Sequence, residues 1–233
     1  MLYIVSTPIG NLKDITFRAV EVLRSVDMIA AEDTRHSRIL LSHYDITTPV
    51  TSYFEHNKLK KGDYLLKMMT AGRSVALVTD AGTPGISDPG FHLVRLAREN
   101  GVPVTVVPGP CALIAALSVS GLPAHAFVFS GFLPVKSAAR RKKLAEFQGE
   151  ARTVIFYESP HRLVKTLLDI GEVLANPRVV CARELTKKFE EVISGSARDL
   201  AGRFTRAAPK GEFVLLVSRG APVQAAEDEG TPC

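Results

Sequence analysis

Short runs of aliphatic and β-branched residues alternate with helical patterns along the first half of this chain, and that alternation constrains the fold most. The strand candidates are 2–6, 28–31, 50–53, 74–79 and 104–107. Helices are predicted over 17–26, where Phe17, Val20, Leu23 and Val26 share one face, and through 39–41. Others follow over 58–69 and 92–99, and from 112 to 119. Strands separated by helices of this length need crossover connections, so the pattern predicts a mostly parallel sheet with helices on its faces.

The second half has a different character. Composition breaks at Gly121-Leu-Pro and again at Gly131-Phe-Leu-Pro134. We therefore expect an N-terminal α/β domain over 1–120, a C-terminal α/β domain over 121–219, and a short acidic tail over 220–233. Strands are predicted at 127–130, 153–157, 178–182, 190–194 and 212–217. A helix over 163–174 aligns Leu163, Leu167, Ile170 and Leu174. The last two strands have too little predicted helix between them for all to run parallel, so the second sheet should be mixed.

Composition excludes several classes. With 233 residues, 46% hydrophobic and 23% charged, the chain can bury a proper core. Cys111, Cys181 and Cys233 are odd in number and widely spaced, and no HExxH occurs, so neither a disulfide framework nor a metal site is indicated. No apolar stretch approaches the roughly 18 residues of a membrane span. Met1-Leu-Tyr-Ile-Val lacks the basic start of a signal peptide. A cytoplasmic, reduced protein without a membrane partner is expected. The net charge of +5 fits a polyanionic partner and equally an ordinary basic protein.

Four polar, glycine- or proline-bearing segments follow the strands of the first sheet: Ser6-Thr-Pro-Ile-Gly-Asn11, Glu32-Asp-Thr-Arg35, residues 80–90, and Pro108-Gly-Pro-Cys111. Segments after parallel strands gather at one sheet edge, where open α/β folds bind ligands. Singly, each reads as an ordinary loop, with Asp33 or Thr34 capping the next helix. Together they predict a ligand cleft. No GxxxxGK[ST] and no GxGxxG after the first strand occur, which argues against an NTPase and a nicotinamide dehydrogenase.

The motifs TPIGNL at 7–12, EDTR at 32–35, DAGTPGISDPG at 80–90 and VPGP at 107–110 resemble the tetrapyrrole methylase superfamily. FYESPHR at 156–162, RELTKKFEE at 183–191 and KGEFVLLV at 210–217 add a likeness to its bacterial small-subunit rRNA methyltransferase branch. The resemblance covers about residues 2–218. It implies a two-domain fold with the cofactor in a cleft between the domains, and usually a homodimer. It also implies an S-adenosylmethionine-dependent enzyme that methylates the ribose 2′-hydroxyl of a cytidine in the decoding region of 16S rRNA. Naked rRNA and the assembled small subunit both stay open as substrate, and DNA is not expected. Many members of that branch continue into a further basic helical segment, where this chain has residues 220–233; how RNA would dock without it stays open.

By resemblance, Pro8, Asp80, Gly82, Ile86, Ser87 and Cys111 contact the cofactor from the first domain, and Tyr157, Leu185 and Gly211 from the second. Asp80 would equally brace its own turn. Methyl transfer to a hydroxyl also needs somewhere for the proton to go. Glu32, Asp33 and Glu158 are candidate bases because each follows a strand facing the expected cleft, and each would equally bind an arginine.

RNA contact calls for cations and stacking surfaces. Lys136, Arg140, Arg141, Lys142 and Lys143 form the densest basic cluster, on a predicted helix. Such a run also suits a solvated helix face. Arg35, Arg38, His56, His161 and Arg162 lie on loops or helix starts. Tyr53, Phe54 and Tyr157 would stack a base or serve as core aromatics. Two other readings stay open: a methyltransferase acting on a porphyrin or corrin, and a non-catalytic RNA- or nucleotide-binding module.

Overall fold

A computed structural model describes residues 1–88 and 90–218. The acidic tail and Pro89 lie outside the described residues. The chain divides into two compact units: the first holds Met1–Ala115 with Leu185–Phe189, and the second Ala116–Glu184 with the chain from Glu190.

The first unit alternates strand and helix as the periodicity predicts: β1 (Leu2–Val5), α1 (Phe17–Ser25), β2 (Met28–Ala31), α2 (Thr34–His43), β3 (Val50–Ser52), α3 (Lys58–Thr70), β4 (Val75–Val78), α4 (Gly90–Glu99) and β5 (Val104–Val107). From there α5 (Ala112–Val119) leads on to the second unit. The five strands are all parallel, in the order β3-β2-β4-β1-β5. Alternation sends Leu2, Ile4, Val75 and Leu77 to one face, against Leu65 and Met69 of α3 and Leu93 and Ala97 of α4. Val5, Ile29, Ala76 and Val78 face the other way, onto Ala19 and Leu23 of α1 and Leu41 of α2. β4 is buried throughout, as a central parallel strand covered on both faces must be.

The second unit has β6 (Phe127–Phe132), α6 (Ser137–Ala145), β7 (Thr153–Glu158), α7 (Leu163–Val173), β8 (Arg178–Arg183), β9 (Glu191–Ser196), α8 (Ala197–Arg206) and β10 (Phe213–Ser218). Its sheet order is β6-β7-β10-β8-β9; β6 and β7 are parallel, and β10–β7, β10–β8 and β8–β9 are antiparallel. The sheet is mixed, as expected, although the short helical span expected between the last two strands is not found. A full helix, α8, does join β9 to β10. Its Ser196 hydroxyl accepts the Asp199 N–H as an N-cap, and Ala197, Leu200, Ala201 and Phe204 are buried at helical spacing.

Candidate active site

Parallel strands of one sheet end on the same edge, and hydrogen bonds lock the segments that follow β1, β2, β4 and β5 into one assembly. The Thr7 N–H donates to the Gly82 carbonyl at 2.9 Å and the Gly82 N–H donates back to the Thr7 carbonyl at 3.1 Å. The Thr7 hydroxyl donates to the Thr79 carbonyl at 3.0 Å. The Ser6 and Thr83 hydroxyls lie 2.9 Å apart, and Thr83 also donates to the Pro110 carbonyl at 3.2 Å, joining the third segment. On the β2 side the Asp33 N–H donates to Asp80 Oδ1 at 3.0 Å and the Thr79 hydroxyl to Glu32 Oε2 at 2.7 Å.

Residues 80–88 form a loop braced from beneath. Asp88 accepts the Gly85 N–H at 2.8 and 2.9 Å and the Gly90 N–H at 2.7 Å. Gly85 sits at φ +91°, where a side chain is strained, and a Cβ there would meet nothing within 4 Å. Ile86 is 40% exposed and Ser87 holds φ +66° although it is not glycine. Bare backbone, one exposed aliphatic side chain and neighbouring carboxylates suit a cationic ligand that carries an apolar ring system. The residues present therefore fit S-adenosylmethionine. Cys111 is a half-buried free thiol whose carbonyl accepts the Ala115 N–H at the start of α5.

The carboxylates differ in availability. Asp33 is the N-cap of α2, and Arg35 grips both of its oxygens, which holds its carboxyl far below the usual range. Arg35 occupies the Asp33 carboxylate, so Asp33 is not favoured as base, while Arg35 itself is 86% exposed and stays at the surface. Glu32 and Asp80 are half-buried, and each has one oxygen engaged as described. Among the described residues the other oxygen of each has no hydrogen-bond partner. Burial pushes the Asp80 carboxyl up and the Glu32 charge adds to it, partly opposed by the Asp33 N–H.

Beside Asp80 a pocket of about 280 Å³ opens between the segment after β1 and helix α2, walled by Leu12, Leu23, Ile39 and Leu40 among others. Thr7, Asn11, His36, Ser37, Thr79, Asp80 and Lys187 supply its polar atoms. Thr7, Asn11 and Asp80 lie in segments expected to line the cleft, whereas His36, Ser37 and Lys187 were not expected: the first two lie within α2 beyond its strand end, and Lys187 comes from a distant segment. Leu185, expected from the second domain, belongs to the first unit, with its carbonyl 3.0 Å from where a Gly10 Cβ would stand.

In the second unit the expected residues are mostly engaged with one another. Glu158 is 2% exposed and accepts the Ser159 N–H at 2.7 Å, the Thr166 hydroxyl at 2.6 Å and Arg162 at 2.7 Å. Arg162 also donates to the Leu133 carbonyl at 3.1 Å. Glu158 is thus no candidate base, nor Arg162 a free phosphate ligand: the ion pair neutralises a buried carboxylate. Arg140 is 3% exposed and bound to Asp169 at 2.7 Å and to the Val135 carbonyl at 3.0 Å, so it leaves the phosphate set as well. Arg141 bonds Glu172 but stays exposed, as do His56 and His161. Tyr53 is buried and bonded to His92, which makes it a core residue. Tyr157 packs edge-on against Phe129 and Phe132, and Gly211 (φ +89°) lies against Glu184.

Residues 1–201 match the model of the family described as Tetrapyrrole (Corrin/Porphyrin) Methylases. The chain belongs to the tetrapyrrole methylase family. It is a methyltransferase of that family, as its motifs imply. Over 223 residues it is 54% identical to ribosomal RNA small subunit methyltransferase I of Vibrio cholerae, a match covering 93% of this chain and 76% of that protein. The Escherichia coli O157:H7 protein of the same name is 52% identical over 219 residues, covering 93% and 77%. Among solved structures, uroporphyrin-III C-methyl transferase from Thermus thermophilus complexed with S-adenyl homocysteine aligns with a TM-score of 0.66. That alignment covers 93% of this chain and 96% of the other at 19% identity, and its likeness is one of fold.

Proposed function

We propose that this methylase uses S-adenosylmethionine to methylate a ribose 2′-hydroxyl of a cytidine in small-subunit ribosomal RNA. What carries the reading is the edge of the first sheet: four segments tied together, a bare loop at Gly85, and two half-buried carboxylates with free oxygens. The half-identity to relatives named as rRNA methyltransferases supports the acceptor class. Gly82, Ile86, Ser87 and Cys111 hold the donor, with Pro8 and Asp80 at its edge. Tyr157, Leu185 and Gly211 belong to the same proposal by resemblance. The protein acts in the cytoplasm as a homodimer. Among the described residues no helix is long and apolar enough to cross a membrane.

When bound, S-adenosylmethionine would supply an electrophilic methyl group on a sulfonium, which leaves as a neutral thioether once the methyl is transferred. The protein's own residues align the reactants, which supplies much of the acceleration in a displacement of this kind. Glu32 and Asp80 balance the cationic donor, and one of them takes the hydroxyl proton. Arg35, Arg38 and Arg141 remain as exposed cations for RNA, with His56 and His161 as exposed hydrogen-bonding groups, so affinity for RNA should fall as salt rises.

The test offers labelled S-adenosylmethionine with deproteinised rRNA, assembled small subunits and a porphyrin precursor. Label on a cytidine ribose in either RNA sample supports the reading. Label on the porphyrin alone, or on none of the three, overturns it.

A further inference from the structure

We infer that the pocket between the segment after β1 and helix α2 receives the acceptor, a single unstacked ribonucleoside presented by single-stranded RNA. The inference rests on the proposed rRNA methylation and says where on the first unit the substrate enters.

Four observations carry it. First, the pocket is small. Its volume of about 280 Å³ lies just below the usual range for small-molecule sites, about 300 Å³ upward. It admits one nucleoside and excludes a tetrapyrrole disc. Second, its walls are Leu12, Leu23, Ile39 and Leu40, apolar surfaces of the kind that sandwich a base taken out of its stack. Third, Asp80 lines the same pocket, so a sugar at its mouth meets a carboxylate with a free oxygen. Fourth, Ser37 is 5% exposed and among the described residues its hydroxyl has no hydrogen-bond partner, although it lines the pocket.

Buried hydroxyls are normally bonded, and one left unbonded costs stability. The neighbouring side chains are provided for: Thr7 bonds Thr79, and Asn11 caps the short 3₁₀ turn at Leu12–Asp14. Among the described residues Asp14 Oδ2 in that turn is also buried without a partner, but Asp14 does not line the pocket; Ser37 does, and a base edge would supply either a donor or an acceptor for it. Gly10 and Lys187 both line the pocket, and a Cβ at Gly10 would stand 2.5 Å from Lys187 Cγ, so the lysine keeps this position only against glycine.

Ser37→Ala and Ser37→Thr test the inference. In Ser37→Ala, the KM for unmethylated small subunits should rise about tenfold, roughly the loss of one hydrogen bond. Affinity for S-adenosylmethionine by calorimetry should stay within twofold, and the melting temperature should not fall. Ser37→Thr, which keeps the hydroxyl, should recover most of the KM. Anisotropy of a fluorescein-labelled single-stranded oligoribonucleotide reads the pocket without transfer, and Ser37→Ala should bind it about tenfold more weakly. Unchanged KM and unchanged oligonucleotide affinity in folded Ser37→Ala would overturn the inference. Failure of the native protein to methylate any RNA would instead overturn the underlying function, leaving the anisotropy result to judge the pocket.

Discussion

Glu32 and Asp80 in the first unit and Glu158 in the second each stand at or just beyond the end of a strand, in segments rich in charge and turn residues. Their environments differ. Glu158 spends its oxygens on Arg162, Thr166 and the Ser159 N–H and is 2% exposed, so its charge is absorbed internally. Glu32 and Asp80 are bonded through one oxygen each and keep the other open. Arg140 repeats the pattern of Glu158: it sits in the densest run of positive charge, yet points inward onto Asp169. A charged motif thus marks a site only where its partners leave some hydrogen-bonding capacity unused. The first unit holds chemistry ready, and the paired charges of the second hold the fold.

The largest effect should come from breaking the inward pairs. Arg140→Ala removes the buried partner of Asp169, leaving it only the Ser137 hydroxyl and Arg141 at 3.5 Å, and should cost about 3 kcal/mol. Urea denaturation should show that loss, while RNA affinity of the folded fraction stays near native. A native-like stability with weakened RNA binding would return Arg140 to the phosphate set. Glu158→Gln comes next. It keeps the shape but strips charge from bonds to Arg162, Thr166 and Ser159, for a loss of about 1.5–3 kcal/mol measured in the same way.

Asp80→Asn should act in the opposite direction. The Asp80 carboxyl is held above its ordinary value of 3.8, first by burial and then by Glu32. Ionising it in the folded chain is therefore penalised above the raised pKa, and the penalty vanishes below the ordinary value. At about pH 7 Asp80→Asn should raise the melting temperature by something on the order of 2 °C, with the gain gone below about pH 3. A loss of stability at neutral pH would show that Asp80 is a brace of its turn.

The smallest effect concerns the thiols. Burial pushes the Cys181 thiol up to about 12, so it should resist alkylation in the native protein. Cys111 is only half-buried. In a Cys233→Ser background Cys111 should react severalfold faster than Cys181, and S-adenosylmethionine should slow it. Equal labelling with and without the ligand would remove Cys111 from the donor site.

The strand–helix alternation of the first unit was legible because its strands are covered on both faces, which leaves uninterrupted apolar runs such as Val75–Val78. The gathering of four segments on one edge followed from that parallel order alone. Helix α8 was equally written in the sequence, through the Ser196 cap and the Ala197, Leu200, Ala201, Phe204 spacing, but two Arg-rich turns hid its apolar face. What sequence could not give was partnership. Nothing in FYESPHR distinguishes a glutamate that faces a substrate from one neutralised by an arginine four residues on. Nor does the chain order reveal that Leu185 and Lys187 join the first unit, since that depends on contacts between segments far apart in sequence.

Calorimetric titration of S-adenosylmethionine into native protein, Asp80→Asn and Glu158→Gln tests most directly whether the open carboxylates, and not the paired ones, serve the reaction. Asp80→Asn should weaken the donor about tenfold or more while remaining folded, and Glu158→Gln should bind within twofold of native despite its lower stability. Native affinity in Asp80→Asn together with lost binding in folded Glu158→Gln would contradict the account.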